Sequence, residues 1–195
     1  MSKETYDLVA LRKKVKKQLD KERYEHTKGV MYTACCMAMA HEADMQKALV
    51  AGLLHDCAKC IPNEEKIRIC QENHILINAA EYANPGLLHA KVGAYLAETK
   101  YGITDPEILH AIKVHTTGEP AMSQMDKIIY IADYIEPNRD QAPRLEYIRK
   151  VAYQDLNLCM SEILSDTLRY LGSRKGTIDP TTQLTYDYYQ QYRKE

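Results

Sequence analysis

The residues best equipped for chemistry are histidines and aspartates set in apolar surroundings. His55-Asp56 ends the run Ala51-Gly52-Leu53-Leu54, so two strongly polar groups stand at the buried end of a helix. Burying charge there is costly unless it is paired or coordinates a metal. Adjacent helical residues point about 100° apart, so the two share an ion only if it lies in the angle between them, which a helix end allows. Asp133 has an equally apolar setting, Ile128-Ile129-Tyr130-Ile131-Ala132-Asp133-Tyr134-Ile135. His26 follows Arg23-Tyr24-Glu25 at the start of a helix, and with His55, Asp56 and Asp133 it makes a mixed nitrogen and oxygen ligand set. Such a set suits iron, manganese or zinc better than calcium, which prefers oxygen shells. His89, after Leu87-Leu88, and His115, before Thr116-Thr117-Gly118, add two imidazoles. With Asp56 as a bridge, the six side chains could hold two metals.

Helices must position these residues, because helical periodicity runs through nearly the whole chain and strand alternation through almost none of it. Leu8, Leu11, Val15 and Leu19 form an opening amphipathic stripe, and Arg12, Lys13, Lys14, Lys16 and Lys17 fall on its solvated face. Further helices are expected at about Lys28 to Ala40, Met45 to His55, Asn63 to Gln71, Leu87 to Thr99, Asp105 to Val114, Ser123 to Ile135, Leu145 to Leu171 and Thr181 to Tyr192. Asp44, Asp105 with Pro106, Ser123 and Asp179 with Pro180 read as N-caps, and Gly102, Gly118 and Gly172 as stops. The fold class is therefore all-α, and residues 1–195 are read as one domain.

Composition excludes several functions. The 26 basic and 27 acidic residues leave a net charge of −1, so no overall field favours a nucleic-acid backbone or an anionic membrane, and neither is an expected partner. No stretch approaches the ~18 apolar residues of a membrane span, and no secretory leader pattern opens the chain. The six cysteines are then expected to stay reduced, in the cytoplasm, and Cys57-x-x-Cys60 has no second such pair to complete a metal site. There are 15 tyrosines and neither Phe nor Trp. Tyr186, Tyr188, Tyr189 and Tyr192 could stack on a base or pack a helix on the core, and no choice is made between these.

The order His26, His55-Asp56, His89, His115, Asp133 resembles the metal-binding set of the HD superfamily of phosphohydrolases in its dinuclear form. More narrowly, five strings look like the YqeK family: Arg23-Tyr24-x-His26-x-x-Gly29-Val30; Ala51-Gly52-Leu53-Leu54-His55-Asp56-x-Ala58-Lys59; Leu88-His89-Ala90; His115-Thr116-Thr117-Gly118; and Lys127 to Pro137 followed by x-Arg139. The resemblance runs from about residue 18 to 190. It implies an all-α helical bundle with an HD core over about 18–140, a dinuclear site in that core, and C-terminal helices over about 143–193. It further implies two divalent transition metal ions, iron first and manganese or zinc as alternatives, held by His26, His55, Asp56, His89, His115 and Asp133. The implied activity is symmetrical cleavage of dinucleoside tetraphosphates such as diadenosine tetraphosphate. A hydroxide made from water at the metals would attack a central phosphorus, Asp56 bridging, while Lys59 and Arg139, with Arg23, hold the substrate's charge. A small-molecule nucleotide is the expected partner, and a homodimer is expected from the resemblance and base rates. The alternatives are an HD-type nucleotidase or guanosine pyrophosphate hydrolase, or a nucleotide-binding sensor without turnover. Guanosine pyrophosphate hydrolases usually carry an acidic pair shortly after His-Asp, where Cys57, Ala58, Lys59 and Cys60 stand here.

Overall fold

A computed structural model describes residues 6–174 and 177–193. Its described residues form eleven α-helices: α1 (Leu8–Lys16), α2 (Lys21–Ala40), α3 (Met45–Leu54), α4 (Asn63–Glu72), α5 (Ala79–Ala83), α6 (His89–Thr99), α7 (Pro106–Val114), α8 (Gln124–Ile135), α9 (Leu145–Ala152), α10 (Leu156–Gly172) and α11 (Pro180–Tyr189). Short 3-10 turns lie at Pro85–Leu88 and Gln190–Tyr192. No strand occurs among the described residues, and no helix there is long and apolar enough to cross a membrane.

Four of the expected caps are present. Asp44, Asp105, Ser123 and Asp179 each accept backbone N–H groups at the start of α3, α7, α8 and α11, satisfying donors that a helix leaves without partners. Gly102 and Gly118 take the left-handed conformation that ends α6 and α7. Three boundaries differ from the sequence reading. The second helix begins at Lys21 rather than about Lys28, because the Asp20 carboxylate accepts from the Arg23 N–H, so a mostly charged turn joins the helix. The expected helix Leu145 to Leu171 is two helices. Asp155 turns its side chain back onto the N–H groups of Asn157 and Leu158, and the apolar stripe continues across the break. The α5 turn was not expected; it is set by the reciprocal hydrogen bonds of Asn78 and Glu81.

The core is built around α2, α3, α7 and α8, with α10 closing it behind α8. Close approach of α2 and α3 depends on Gly52, where an added Cβ would lie 2.9 Å from the Met31 Cα. This contact sets the end of α3, with His55-Asp56, against the side of α2 that carries His26.

Candidate functional site

Five helical segments converge where the sequence places its polar residues. His26 lies in the second turn of α2, His55 and Asp56 at the C-terminal end of α3, and His89 at the first residue of α6. His115 lies just past the end of α7, and Asp133 is on the last turn of α8. Three imidazoles are oriented alike. The Nδ1 of His55 lies 2.7 Å from the Gly52 carbonyl, that of His89 2.6 Å from the Gly86 carbonyl, and that of His115 2.7 Å from the Ile112 carbonyl. Carbonyls at the end of a helical turn lack an N–H partner, so each ring satisfies one. A carbonyl can only accept, which fixes the proton on Nδ1 and leaves an Nε2 lone pair pointing into the site.

Those lone pairs meet one another and two carboxylates. The His89 and His115 Nε2 atoms are 3.1 Å apart, and the Asp56 Oδ1 lies 3.2 Å from the first and 3.6 Å from the second. The His55 Nε2 is 3.8 Å from the Asp56 Oδ2 and 3.9 Å from the Asp133 Oδ1, and it is buried with no hydrogen-bond partner. The His26 Nε2 is 3.1 Å from the Asp133 Oδ1. Ligand atoms of His26, His55 and Asp56 lie within 4.8 Å of one another; so do those of His55, His115 and Asp133, and those of Asp56, His89 and His115. Asp56 belongs to two of these groups, so one carboxylate could serve two ions.

The electrostatics suit a cation. Burial pushes His55 down to about 4 and also lowers His89, so both are neutral near pH 7. Burial opposes ionisation of Asp56, but the surrounding His55, His115 and His89 outweigh it and hold that carboxyl well below its ordinary value. Asp133 is lowered in the same way, burial being outweighed by the hydrogen bond from His26 together with the neighbouring His55 ring and Arg139. For His26, burial is outweighed by Asp133 and Glu136, and its value rises. Acceptor atoms crowded together with an orphaned buried imidazole nitrogen are what a cation site requires, so these residues fit a transition metal.

Two positive side chains lean on this cluster. The Lys59 Nζ lies 3.4 Å from the Asp56 Oδ1 and 3.0 Å from the His89 Nε2. The Arg139 Nη2 is 2.9 Å from the Asp133 Oδ1, and its Nε donates to the Asp133 carbonyl at 3.1 Å. Arg23 is paired only loosely with Asp20, at 3.9 Å. A cleft of about 1310 Å³ opens here; His26, Asp56, His89, His115 and Asp133 lie in its wall with Arg23, Lys59 and Arg139.

Other side chains of reactive type lie outside this cluster. His110 pairs with Asp126 and Glu119, and His41 bonds the Ala152 carbonyl. The buried Cys57 thiol donates to the Gly93 carbonyl at 3.6 Å, whereas Cys60 is exposed beside Asp20. Tyr189 is buried, and Tyr186, Tyr188 and Tyr192 pack on the core away from the cleft wall. Three contributors stand in the sequence motifs without an assigned role. The Thr116 Oγ1 lies 3.2 and 3.3 Å from the His89 and His115 Nε2 atoms. The buried Glu136 carboxylate is 3.1 Å from the His26 Nδ1 and orients that ring. Gly29 leaves the space Glu136 occupies, because a Cβ there would collide with its Oε2. The sequence signal was the motif itself, in which Gly29 and Glu136 stand without an evident reason.

Residues 23–138 match the HD domain family model. The chain belongs to the HD-domain family, in its YqeK branch. Hydrolases of the HD family use divalent metals. The chain is 42% identical to the symmetrical bis(5′-nucleosyl)-tetraphosphatase of Bacillus subtilis (strain 168), over 89% of this chain and 92% of that protein. It is also 42% identical to the protein of the same name from Halalkalibacterium halodurans, over 89% of this chain and 91% of the other. A Clostridium acetobutylicum crystal structure, described as a predicted HD superfamily hydrolase involved in NAD metabolism, is 36% identical and superposes with a TM-score of 0.92, covering 97% of this HD protein and 100% of its own chain.

Proposed function

We propose that this HD-domain protein is a symmetrical bis(5′-nucleosyl)-tetraphosphatase, hydrolysing dinucleoside tetraphosphates to two nucleoside diphosphates. The carrying observation is the convergence of Nε2 lone pairs and two ionised carboxylates in the wall of a cleft that also presents Lys59, Arg139 and Arg23. His26, His55, Asp56 and Asp133 would hold one divalent ion and Asp56, His89 and His115 a second, with iron the expected metal and manganese or zinc compatible with the donor set. Bound there, two such ions would supply neutralisation of the polyphosphate charge and a lowered pKa for water.

The chain's own residues do the rest. Asp56 would contribute the negative charge shared by the two positions, and the surrounding imidazoles, which outweigh the effect of burial, keep it ionised. Glu136 holds His26 through Nδ1, so its Nε2 faces Asp133. Lys59 and Arg139 stand beside the two aspartates, where they would meet non-bridging phosphate oxygens; arginine can do so with two parallel hydrogen bonds. Arg23, in the α2 part of the cleft wall, would meet a further part of the phosphate chain. Fixing the chain's register in this way selects the central anhydride, and no covalent enzyme intermediate is needed. The six free cysteines agree with a cytoplasmic setting.

The test incubates purified protein with iron, manganese or zinc and, separately, diadenosine tetraphosphate, a guanosine pyrophosphate and a nucleoside monophosphate, and separates the products by ion exchange. Preferential turnover of the tetraphosphate is expected. Preference for either other substrate would replace this reading by another hydrolase of the superfamily, and turnover of none would favour a sensor.

A further inference from the structure

The cleft extends past the metal-ligating cluster in two directions, and its two sides differ in chemistry. On the α2 side its wall is Asp20, Lys21, Glu22, Arg23 and Glu25, all charged. The aromatic residues of the described cleft wall are Tyr130, Tyr134 and Tyr170, all on α8 and α10. Tyr130 is buried, so its ring belongs to the core, whereas Tyr170 is 53% exposed. The Arg174 guanidinium stacks 4.4 Å from the Tyr170 ring centroid, which braces the ring on the cleft wall while leaving much of its surface uncovered.

A second observation lies one turn back along the same face. Asp166 is 3% exposed and lines the cleft. Its Oδ2 accepts from the Arg144 Nη2 at 2.8 Å and Nε at 3.2 Å, but its Oδ1 is buried without a hydrogen-bond partner; the nearest cation, the Arg169 Nη1, is 3.6 Å away. A buried carboxylate oxygen lacking a donor is costly, and in a residue of the cleft wall a ligand is one source of the missing donor. Asp166 and Tyr170 lie four residues apart on α10, so they stack on one face about 6 Å apart, and Arg174 follows just past the end of the helix. A nucleoside has the same layout, with hydroxyls and ring N–H groups beside a flat π-system.

We infer that the α8–α10 arm of the cleft is a nucleoside subsite, in which the base stacks on Tyr170 and the Asp166 Oδ1 accepts one nucleoside O–H or N–H. This deepens the proposed hydrolase reading and rests on it for the substrate. One nucleoside of the substrate is thereby gripped, and the other lies along the charged α2 wall without an aromatic platform. The enzyme then accepts varied nucleosides at one end and discriminates at the other.

The test compares ADP with pyrophosphate, which has no nucleoside, by calorimetric titration of metal-loaded wild type, Tyr170→Ala and Tyr170→Phe. Base stacking on an aromatic side chain is worth enough that its loss should weaken ADP binding about tenfold. Tyr170→Phe should restore the affinity, pyrophosphate should bind all three alike, and the KM for diadenosine tetraphosphate should rise in Tyr170→Ala by a similar factor. Equal ADP affinity in wild type and Tyr170→Ala overturns the platform. Purine riboside diphosphate, which lacks the exocyclic amine and gains no N–H, and 2′,3′-dideoxyadenosine diphosphate, which lacks the ribose hydroxyls, remove the candidate donors in turn. At least one should bind more weakly than ADP to wild type; both binding as tightly as ADP overturns the role of Asp166. Failure of wild type to hydrolyse diadenosine tetraphosphate would overturn the hydrolase reading, and the ADP and pyrophosphate comparison would still decide the subsite.

Discussion

Gly29→Ala places a methyl group on the buried side of α2, and helix propensity alone would make it favourable by about 1 kcal/mol. The structure predicts the opposite sign. The new Cβ collides with the Glu136 Oε2 and would lie 3.0 Å from its Cδ and 3.4 Å from the Asn138 Nδ2. The carboxylate has no free path of retreat: Oε1 holds the His26 Nδ1 at 3.1 Å, and Oε2 accepts the Asn138 N–H at 2.8 Å and its Nδ2 at 3.1 Å. Hydrogen bonds to charged groups contribute about 1.5–3 kcal/mol each, so losing even one outweighs the propensity gain. Releasing His26 should lower metal affinity or turnover about 10- to 100-fold, the usual effect of removing a partner that orients a ligand. Isothermal titration of chelator-stripped protein with manganese, with far-UV circular dichroism as a folding control, measures this. A double-mutant cycle with Glu136→Ala isolates the cause, because Gly29→Ala should cost far less when that carboxylate is already gone. Wild-type metal affinity in Gly29→Ala, or additivity across the cycle, would refute the reasoning.

Asp56→Ala should lose both ions and all turnover while keeping its helical signal, and elemental analysis with unchanged metal content would count against a shared carboxylate. Lys59→Ala and Arg139→Ala should retain the metals and instead impair substrate affinity or turnover, so a variant that loses its metal has been given the wrong role. His55 is neutral in both folded and unfolded chains above about pH 6.5, but between there and about 4 only the unfolded chain takes up the proton, so metal-free protein loses stability as pH falls. The His55 displacement corresponds to about 3 kcal/mol. His89 adds to this loss and His26, whose value is raised, opposes it. Urea midpoints of chelated protein that do not fall between pH 7 and 4.5 would contradict this assignment.

The all-helical class was legible because amphipathic stripes and side-chain caps are local, and Asp44, Asp105, Ser123 and Asp179 cap helices as their sequence context suggests. The residues that the fold gathers into the cleft wall were also legible, since a charged or imidazole side chain ending an apolar run needs a partner. The break at Asp155 was not, because Ile148, Ala152, Leu156 and Cys159 continue one buried stripe across two helices. Glu136 and Gly29 were hidden for a different reason. Their meaning is a contact between α2 and the end of α8 across more than a hundred residues, and neither residue type announces it. The Tyr170 arm was equally unreadable, because nothing in the sequence separates an exposed tyrosine in the cleft wall from Tyr32, Tyr82, Tyr147 or Tyr153, which are exposed elsewhere.

The central claim is that this cleft hydrolyses the central anhydride of a dinucleoside tetraphosphate. Metal-loaded protein should be given diadenosine tetraphosphate in ¹⁸O-enriched water, and early products should be separated and weighed by mass spectrometry. Attack at either middle phosphorus predicts ADP as the sole nucleotide product, with one solvent oxygen in half of the ADP molecules. Equal amounts of AMP and ATP would contradict the account.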